Sequence, residues 1–363
     1  MKRTTFLLIL IYHFGRALAN DYSQVDQESK SVPLQYKTAP AIAQFLTKNL
    51  NKPTDKTRAI YYWIASNIRY DLAMVKNPKP YHNAQELVDE VLVRRQGVCQ
   101  NYAELFDACC KSVGLKSYVI VGYTRDSLGK VNPLGHAWNA IEIDNQYTLI
   151  DVTWAAGYVQ NGVYVHRFRD LYFMQSPSDF NRTHIPFDPI WQFSTTPILH
   201  ANFIKGDFST SNQTLKYNYK DSLLAMGKMN SIEKRQHENI RILQGGISNK
   251  LIKDKLEINN QFITNEQLNL EKEKFNQAST LFSKGINDYN SYITLLNQNK
   301  GDQSKMSTHL HLLNSAQSQI LTAVQSVENI SNADKGLKQS SNEMISVSKK
   351  IIPAIKDLIE KTK

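Results

Sequence analysis

The chain predicts an α+β domain followed by an all-α helical bundle or coiled coil. Three observations carry that expectation. The stretch RRQGVCQNYAELFDACC, residues 94–110, places apolar side chains at Tyr102, Leu105, Phe106 and Cys109, one face of an α-helix that starts near Cys99. Three runs rich in β-branched and aromatic residues follow it, SYVIVGYTR, HAWNAIEID and YTLIDVTW, and read as strands, so the cysteine helix packs on an antiparallel sheet. From about residue 215 the composition shifts to Asn, Gln, Ser and Lys, with no Trp and no Pro before Pro353, while apolar residues recur at spacings of 3 and 4.

Taken in chain order, MKRTTFLLILIYHFGRALAND reads as an export signal over residues 1–19. Lys2 and Arg3 precede a short apolar run, and Ala17-Leu18-Ala19 offers a cleavage site before Asn20. No further apolar run is long enough to span a membrane. The mature chain is therefore expected to be soluble and periplasmic or secreted. No Cys follows the run, so a lipid anchor at the cleavage site is not expected.

Residues 20–40, with Pro33 and Pro40, read as an extended lead-in. Helices follow over 41–50 and 54–69; the second is capped by Thr54 and carries the stripe Ile60, Trp63, Ile64 and Ile68. NPKPYH at 77–82 is a loop, and a helix covers about 84–93. Gly114 suits the end of the cysteine helix. Residues 155–205 hold aromatics, Pro and Gly with short strand-like pieces such as VYVHRF. The α+β domain thus spans 20–205 and the helical domain 206–363. In the latter Leu313, Ala316, Ile320, Ala323, Val327 and Ile330, then Met344, Ile351, Ile355 and Leu358, mark core-facing stripes of an antiparallel bundle. Its turns are expected at Gly245-Gly246, Asn299–Asp302 and Asn332–Gly336.

The formal net charge of +10 includes residues of the leader, and the remaining Lys are interspersed with Asp and Glu. This reads as a solvated surface and argues against a nucleic-acid partner. The three cysteines do not suit disulfides. Along one helix Cys99 lies about 15 Å from Cys109 and Cys110, whereas a disulfide needs Cα atoms within about 7 Å. All three are read as free thiols.

A cysteine at a helix N-terminus faces unpaired N–H groups and the positive end of the dipole, which stabilise a thiolate. Cys99 is thus either a nucleophile or a small buried hydrophobe. A nucleophilic Cys works with a His oriented by a third polar group. A two-residue loop at Asp144-Asn145 pairs Ile143 with Gln146 and sets His136 diagonal to Asp151 on one face, about 7–8 Å apart at the backbone. The pair is either catalytic or an ordinary surface hairpin. His309 and His311, two apart on a helix, point in different directions and form no metal pair. His82, His166, His184 and His200 read as structural.

GVCQNYAELFDACCKSVGLKSYVIVGY followed by GHAWNAIEIDNQYTLIDVTW resembles the transglutaminase-like superfamily, as does the upstream helix AIYYWIASNIRYD. The tail AAGYV and YFMQSPSDFNRTHIPFDPIWQFSTTPI points to the branch resembling kyphoscoliosis peptidase and the fungal cytokinesis protein with a transglutaminase-like domain. The resemblance covers about residues 40–200. It implies a papain-like fold with Cys99 as nucleophile, His136 as general base and acid, and Asp151 orienting the imidazole. It also implies a thioester intermediate that passes to water or to an amine. The oxyanion would be held in part by the Cys99 N–H, and Trp63 is either a second donor or core. The calcium loops of animal transglutaminases are not visible, so no metal and no cofactor are expected. The branch also implies an alternative, a non-catalytic interaction scaffold, since its members often lack an intact triad; here all three residue types are present. The expected partners are a peptide or protein substrate and, through the C-terminal helices, a protein partner or a second copy.

Overall fold

Capping chemistry sets where the first helices begin. Thr38 accepts from the Ala41 N–H and opens α2 (Ala39–Thr47). The next helix, α3 (Pro53–Asn67), starts one residue before the expected Thr54 cap. Pro53 takes the first helical position, where a fixed φ and a missing N–H carry no penalty, so Lys52 is the cap. The lead-in is not wholly extended: α1 (Ser23–Glu28) forms there, and its Asp26 accepts two hydrogen bonds of 2.6 Å from the buried Arg58 of α3. That anchor lies thirty-two residues away in sequence and leaves no periodic signal. The structure, a computed structural model, describes residues 21–126, 128–209, 216–298, 305–330 and 334–362. The leader expected at 1–19 and the turn at Asn299–Asp302 lie outside these residues, as do two positions of the Asn332–Gly336 turn.

The chain divides into two compact units, Met1–Ala225 with Arg241–Lys253, and Met226–Ile240 with Asp254–Lys363. In the first, β1 (Arg69–Tyr70), α4 (Leu72–Lys76), α5 (Ala84–Arg94) and β2 (Gln96–Gly97) lead to α6 (Cys99–Ser112). Then come β3 (Lys116–Arg125), β4 (Val131–Ile143), β5 (Gln146–Ile150), α7 (Val152–Ala156), β6 (Gly157–Gln160), β7 (Val163–His166), α8 (Pro177–Phe180), β8 (His184–Pro186) and α9 (His200–Lys205). The main sheet has the order β5-β4-β3-β8 and is antiparallel throughout.

Alternation along the strands covers both faces of this sheet. Ile141 and Ile150 join the core built with α2, α3, α5 and α6, including Ile60, Trp63, Ile64, Tyr102 and Phe106. Trp138, Ala140 and Leu149 join a second cluster with Ile120, Phe180 and Phe193. Two cross-links tie α6 to the sheet. Asn139 Nδ2 donates to the Ala103 carbonyl at 3.0 Å, and Ser117 Oγ donates to Asp107 Oδ1 at 2.6 Å. At Gly122 a Cβ would fall 2.1 Å from the Ile185 carbonyl and 2.6 Å from Trp138 Cη2. Only glycine lets β8 and Trp138 approach β3 this closely.

The hairpin turns at Asp144 and Asn145, with φ of 52° and 60°, and pairs Ile143 with Gln146 as its polar loop predicts. The strand expected over YTLIDVTW is shorter, because β5 ends at Ile150 and the chain turns into α7.

Five further helices follow among the described residues: α10 (Tyr219–Met226), α11 (Ser231–Gly245), α12 (Lys250–Gln298), α13 (Met306–Glu328) and α14 (Lys335–Thr362). Within the second unit, Ala278 of α12 packs with Ala323 and Val327 of α13 and Met344 of α14. Tyr292 packs with Leu313, Ala316 and Ile320, and with Ile355 and Ile359. As α12 and α14 advance α13 runs back, so α13 is antiparallel to both. No helix among the described residues is long and apolar enough to cross a membrane.

Candidate active site

Cys99 is the first residue of α6 and half-buried. Its position is built by its neighbours. The Val98 N–H donates to Asn101 Oδ1 at 3.0 Å, closing the turn before the helix. A Cβ on Gly97 would lie 2.6 Å from Asn101 Cβ, so that turn needs glycine. Deeper in the helix, Tyr102 O–H donates to the Ile68 carbonyl at 2.7 Å. Cys109 and Cys110 are buried free thiols whose burial pushes them far above the ordinary thiol range.

His136 comes from β4, opposite Gly122 of β3. Its Nε2–H donates to Asp151 Oδ2 at 2.7 Å, which leaves Nδ1 for the thiol. Burial lowers the imidazole's proton affinity, but the Asp151 charge and hydrogen bond outweigh it. With a hydrogen bond and charge from the adjacent Cys99, they push the pKa up to about 10. The same pairing, joined by hydrogen bonding from His184, holds the Asp151 carboxyl well below the usual carboxylate range despite its burial.

Asp151 reaches His136 by a different route from the expected diagonal strand pair. It is the N-cap of α7, with Oδ1 accepting from the Trp154 N–H at 2.9 Å and Oδ2 turned to the imidazole. The structure thus brings Cys99, His136 and Asp151 together. Trp63 is placed in the core, its ring 5.1 Å beneath the Arg95 guanidinium and its indole N–H buried without an acceptor.

Two participants escaped the sequence reading. His184, read as structural, is fully buried and sends Nε2 to Asp151 Oδ2 at 3.1 Å. Pairing of β8 with β3 brings it there, and no local spacing signals that pairing. Tyr70 of β1 lies near the thiol: burial first and the Cys99 charge second push its phenol above the ordinary range. The donor atoms of His136, Asp151 and His184 lie within 4.8 Å of one another, a spacing a metal ion could bridge. Here, however, both imidazoles aim N–H groups at one carboxylate oxygen, the geometry of hydrogen bonds. A cavity of about 260 Å³ is lined by Thr124, Asp126, Lys130, Val131, Pro133 and Trp154, whose ring lies 5.7 Å from that of His136.

This arrangement suits a nucleophilic thiol. An imidazolium held by a carboxylate stabilises the thiolate beside it and can move a proton.

Residues 40–152 match the family model of the transglutaminase-like superfamily. Kyphoscoliosis peptidase from Homo sapiens is 27% identical over 160 residues, which cover 42% of this chain and 24% of that protein. Cytokinesis protein 3 from Schizosaccharomyces pombe (strain 972 / ATCC 24843) is 28% identical over 189 residues, 48% of this chain and 20% of that protein. The chain spans about a quarter or less of the length of these relatives. A solved TGase structure shares 17% identity, covering 44% of this chain and 38% of that one at a TM-score of 0.26.

Proposed function

We propose, from the match of residues 40–152 to the transglutaminase-like superfamily, that this chain is an exported thiol enzyme acting on peptide or protein amides. The observation that carries the reading is a cysteine at the start of a helix beside an imidazole that is itself bonded to a buried carboxylate. The Cys99 thiolate attacks the amide carbonyl carbon, and the negative charge moves to the carbonyl oxygen. N–H groups at the start of α6 receive that charge. His136 gives its proton to the leaving nitrogen as the C–N bond breaks, leaving an acyl thioester on Cys99. Water or a primary amine then attacks the thioester, His136 takes the incoming proton, and the thiolate departs. Asp151 stays ionised throughout and keeps Nε2–H of His136 aimed at itself, so Nδ1 faces the thiol. Water as acceptor makes the enzyme a peptidase or deamidase, and an amine makes it an acyltransferase.

The test offers casein and dansylcadaverine to the chain lacking residues 1–19, and follows amine incorporation, ammonia release and new amino termini. Any one of these, lost in Cys99→Ala, is the expected result. None in the parent chain overturns catalysis on protein amides. Export is checked by fractionating cells that make the full chain.

The His136 side chain is only 8% exposed, and this favours a second reading, a non-catalytic interaction module. An inert thiol in the alkylation experiment below would select it.

A further inference from the structure

We propose that His184 is a positioning residue for the Cys99 chemistry, supplying from a ring-walled compartment the second N–H that the sealed Asp151 carboxylate needs. The inference rests on the thiol-enzyme reading above and adds a fourth residue to it.

The Asp151 side chain has no exposure, so each of its lone pairs must be served by protein. Oδ1 accepts from the Trp154 N–H at 2.9 Å. Oδ2 accepts from His136 at 2.7 Å and from His184 at 3.1 Å. Water would ordinarily fill the second place on Oδ2. Here Phe180 stacks on the His184 ring at 4.1 Å, and Trp154 and Trp138 close on it at 4.5 and 5.3 Å. An anion in such surroundings is costly unless donors replace its hydration.

The form of His184 follows from its two contacts. A carboxylate oxygen can only accept, so Nε2 carries the hydrogen. Nδ1 then accepts, at 2.8 Å, from the Thr183 hydroxyl. That hydroxyl also lies 3.2 Å from the Phe180 carbonyl, to which it would donate if the ring were charged. Burial agrees, pushing the His184 pKa down to about 4 against the pull of Asp151. A neutral donor suits the site, because a second cation on Oδ2 would oppose the imidazolium that His136 must form. The titratable groups that face His184 are Asp151 ahead of α7, His136 on β4, and Tyr172, whose ring lies at 6.3 Å.

Without this N–H, Oδ2 keeps one partner and the carboxylate takes up a proton more readily. The protonated acid cannot support the imidazolium, so the thiolate form should be confined to higher pH. A purely structural role would be met by any ring stacked on Phe180.

The experiment measures the rate of iodoacetamide addition at Cys99 against pH in the chain lacking residues 1–19, read by mass spectrometry of the Cys99 peptide. Parent, His136→Ala, His184→Phe, His184→Leu and His184→Gln proteins are compared, with thermal unfolding as the check on folding. The parent should show an inflection well below about 8.5 that rises in His136→Ala. If it does not, the thiol-enzyme reading fails before His184 is tested. Given that inflection, His184→Phe should move the acid limb up by about one pH unit, and His184→Gln, which keeps an N–H donor, should recover most of the shift. A folded His184→Phe protein with an unmoved limb overturns the proposal, as does an equal shift in the Gln and Phe variants. If His184→Phe does not fold, His184→Leu decides: it also lacks the N–H donor, and the limb should rise in the same direction. An unmoved limb in that variant overturns the proposal.

Discussion

The core of α13 and α14 and the sheet around Asp151 bury polar groups in opposite ways. In the core shared by α13 and α14, buried hydroxyls are satisfied locally: Ser341 Oγ bonds the Leu337 carbonyl and Ser348 Oγ bonds the Met344 carbonyl, each four residues back on its own helix. Around the sheet of the first unit, three buried polar side chains bond across elements. Asp151 is met by strands β4 and β8, Asn139 reaches α6, and Asp188 receives two hydrogen bonds from Arg241. A hydroxyl bonded to its own helix can be lost with little consequence. A carboxylate bonded by three separate segments depends on all of them, and cross-element burial of this kind shifts proton affinities far enough to be useful in chemistry.

The sharpest way to break this contrast is Asp151→Asn. The amide would place either its NH₂ against two N–H donors at the former Oδ2, or its oxygen there and NH₂ against the Trp154 N–H. Any amide-directed turnover should fall by about 10³–10⁴-fold while the fold persists, measured with the casein assay and circular dichroism. Unchanged turnover would remove Asp151 from the site.

Stability tests come next in size. Ile320 is fully buried, and its side chain meets the space a Cβ would need at Gly285 of α12. Ile320→Ala should cost about 2–5 kcal/mol in denaturant unfolding. Ser348→Ala should stay within about 0.5 kcal/mol, because its hydroxyl serves only its own helix. Comparable losses at the two positions would show that the Ser348 hydroxyl does more than serve its own helix.

Acid titration sharpens the comparison through the two imidazoles. The folded pKa of His184 is depressed to about 4, below its ordinary 6.5. Its neutral burial is therefore without penalty above about 6.5, and stability is lost as pH falls from there toward 4. The loss is on the order of 1–3 kcal/mol, and His184→Gln should flatten it in unfolding curves taken across that range. His136 behaves in the opposite sense. Its raised pKa of about 10 stabilises fully below 6.5, and that contribution fades as pH rises toward 10.

Local pattern accounts for much of what was legible. Residues Tyr102, Leu105, Phe106 and Cys109 recur at helical spacing and are fully buried on one face of α6, the helix that Cys99 opens. A two-residue polar loop set the β4–β5 register. Stripes from Leu313 to Val327 and at Met344 and Ile355 are the buried faces of α13 and α14. What was missed depends on distant contacts. The end of β5 at Ile150 follows from Asp151 capping α7, and α1 depends on Arg58.

The sequence by itself determined the helix that presents Cys99, the hairpin that brings His136 near Asp151, and the helical nature of the C-terminal part, because these rest on periodicity, capping and turn chemistry within a few residues. Tertiary structure alone decided that His184 crosses to the same carboxylate and that burial separates the proton affinities of the two imidazoles. Those depend on β8 pairing with β3 and on rings from several segments that exclude water, and such contacts have no local pattern to read.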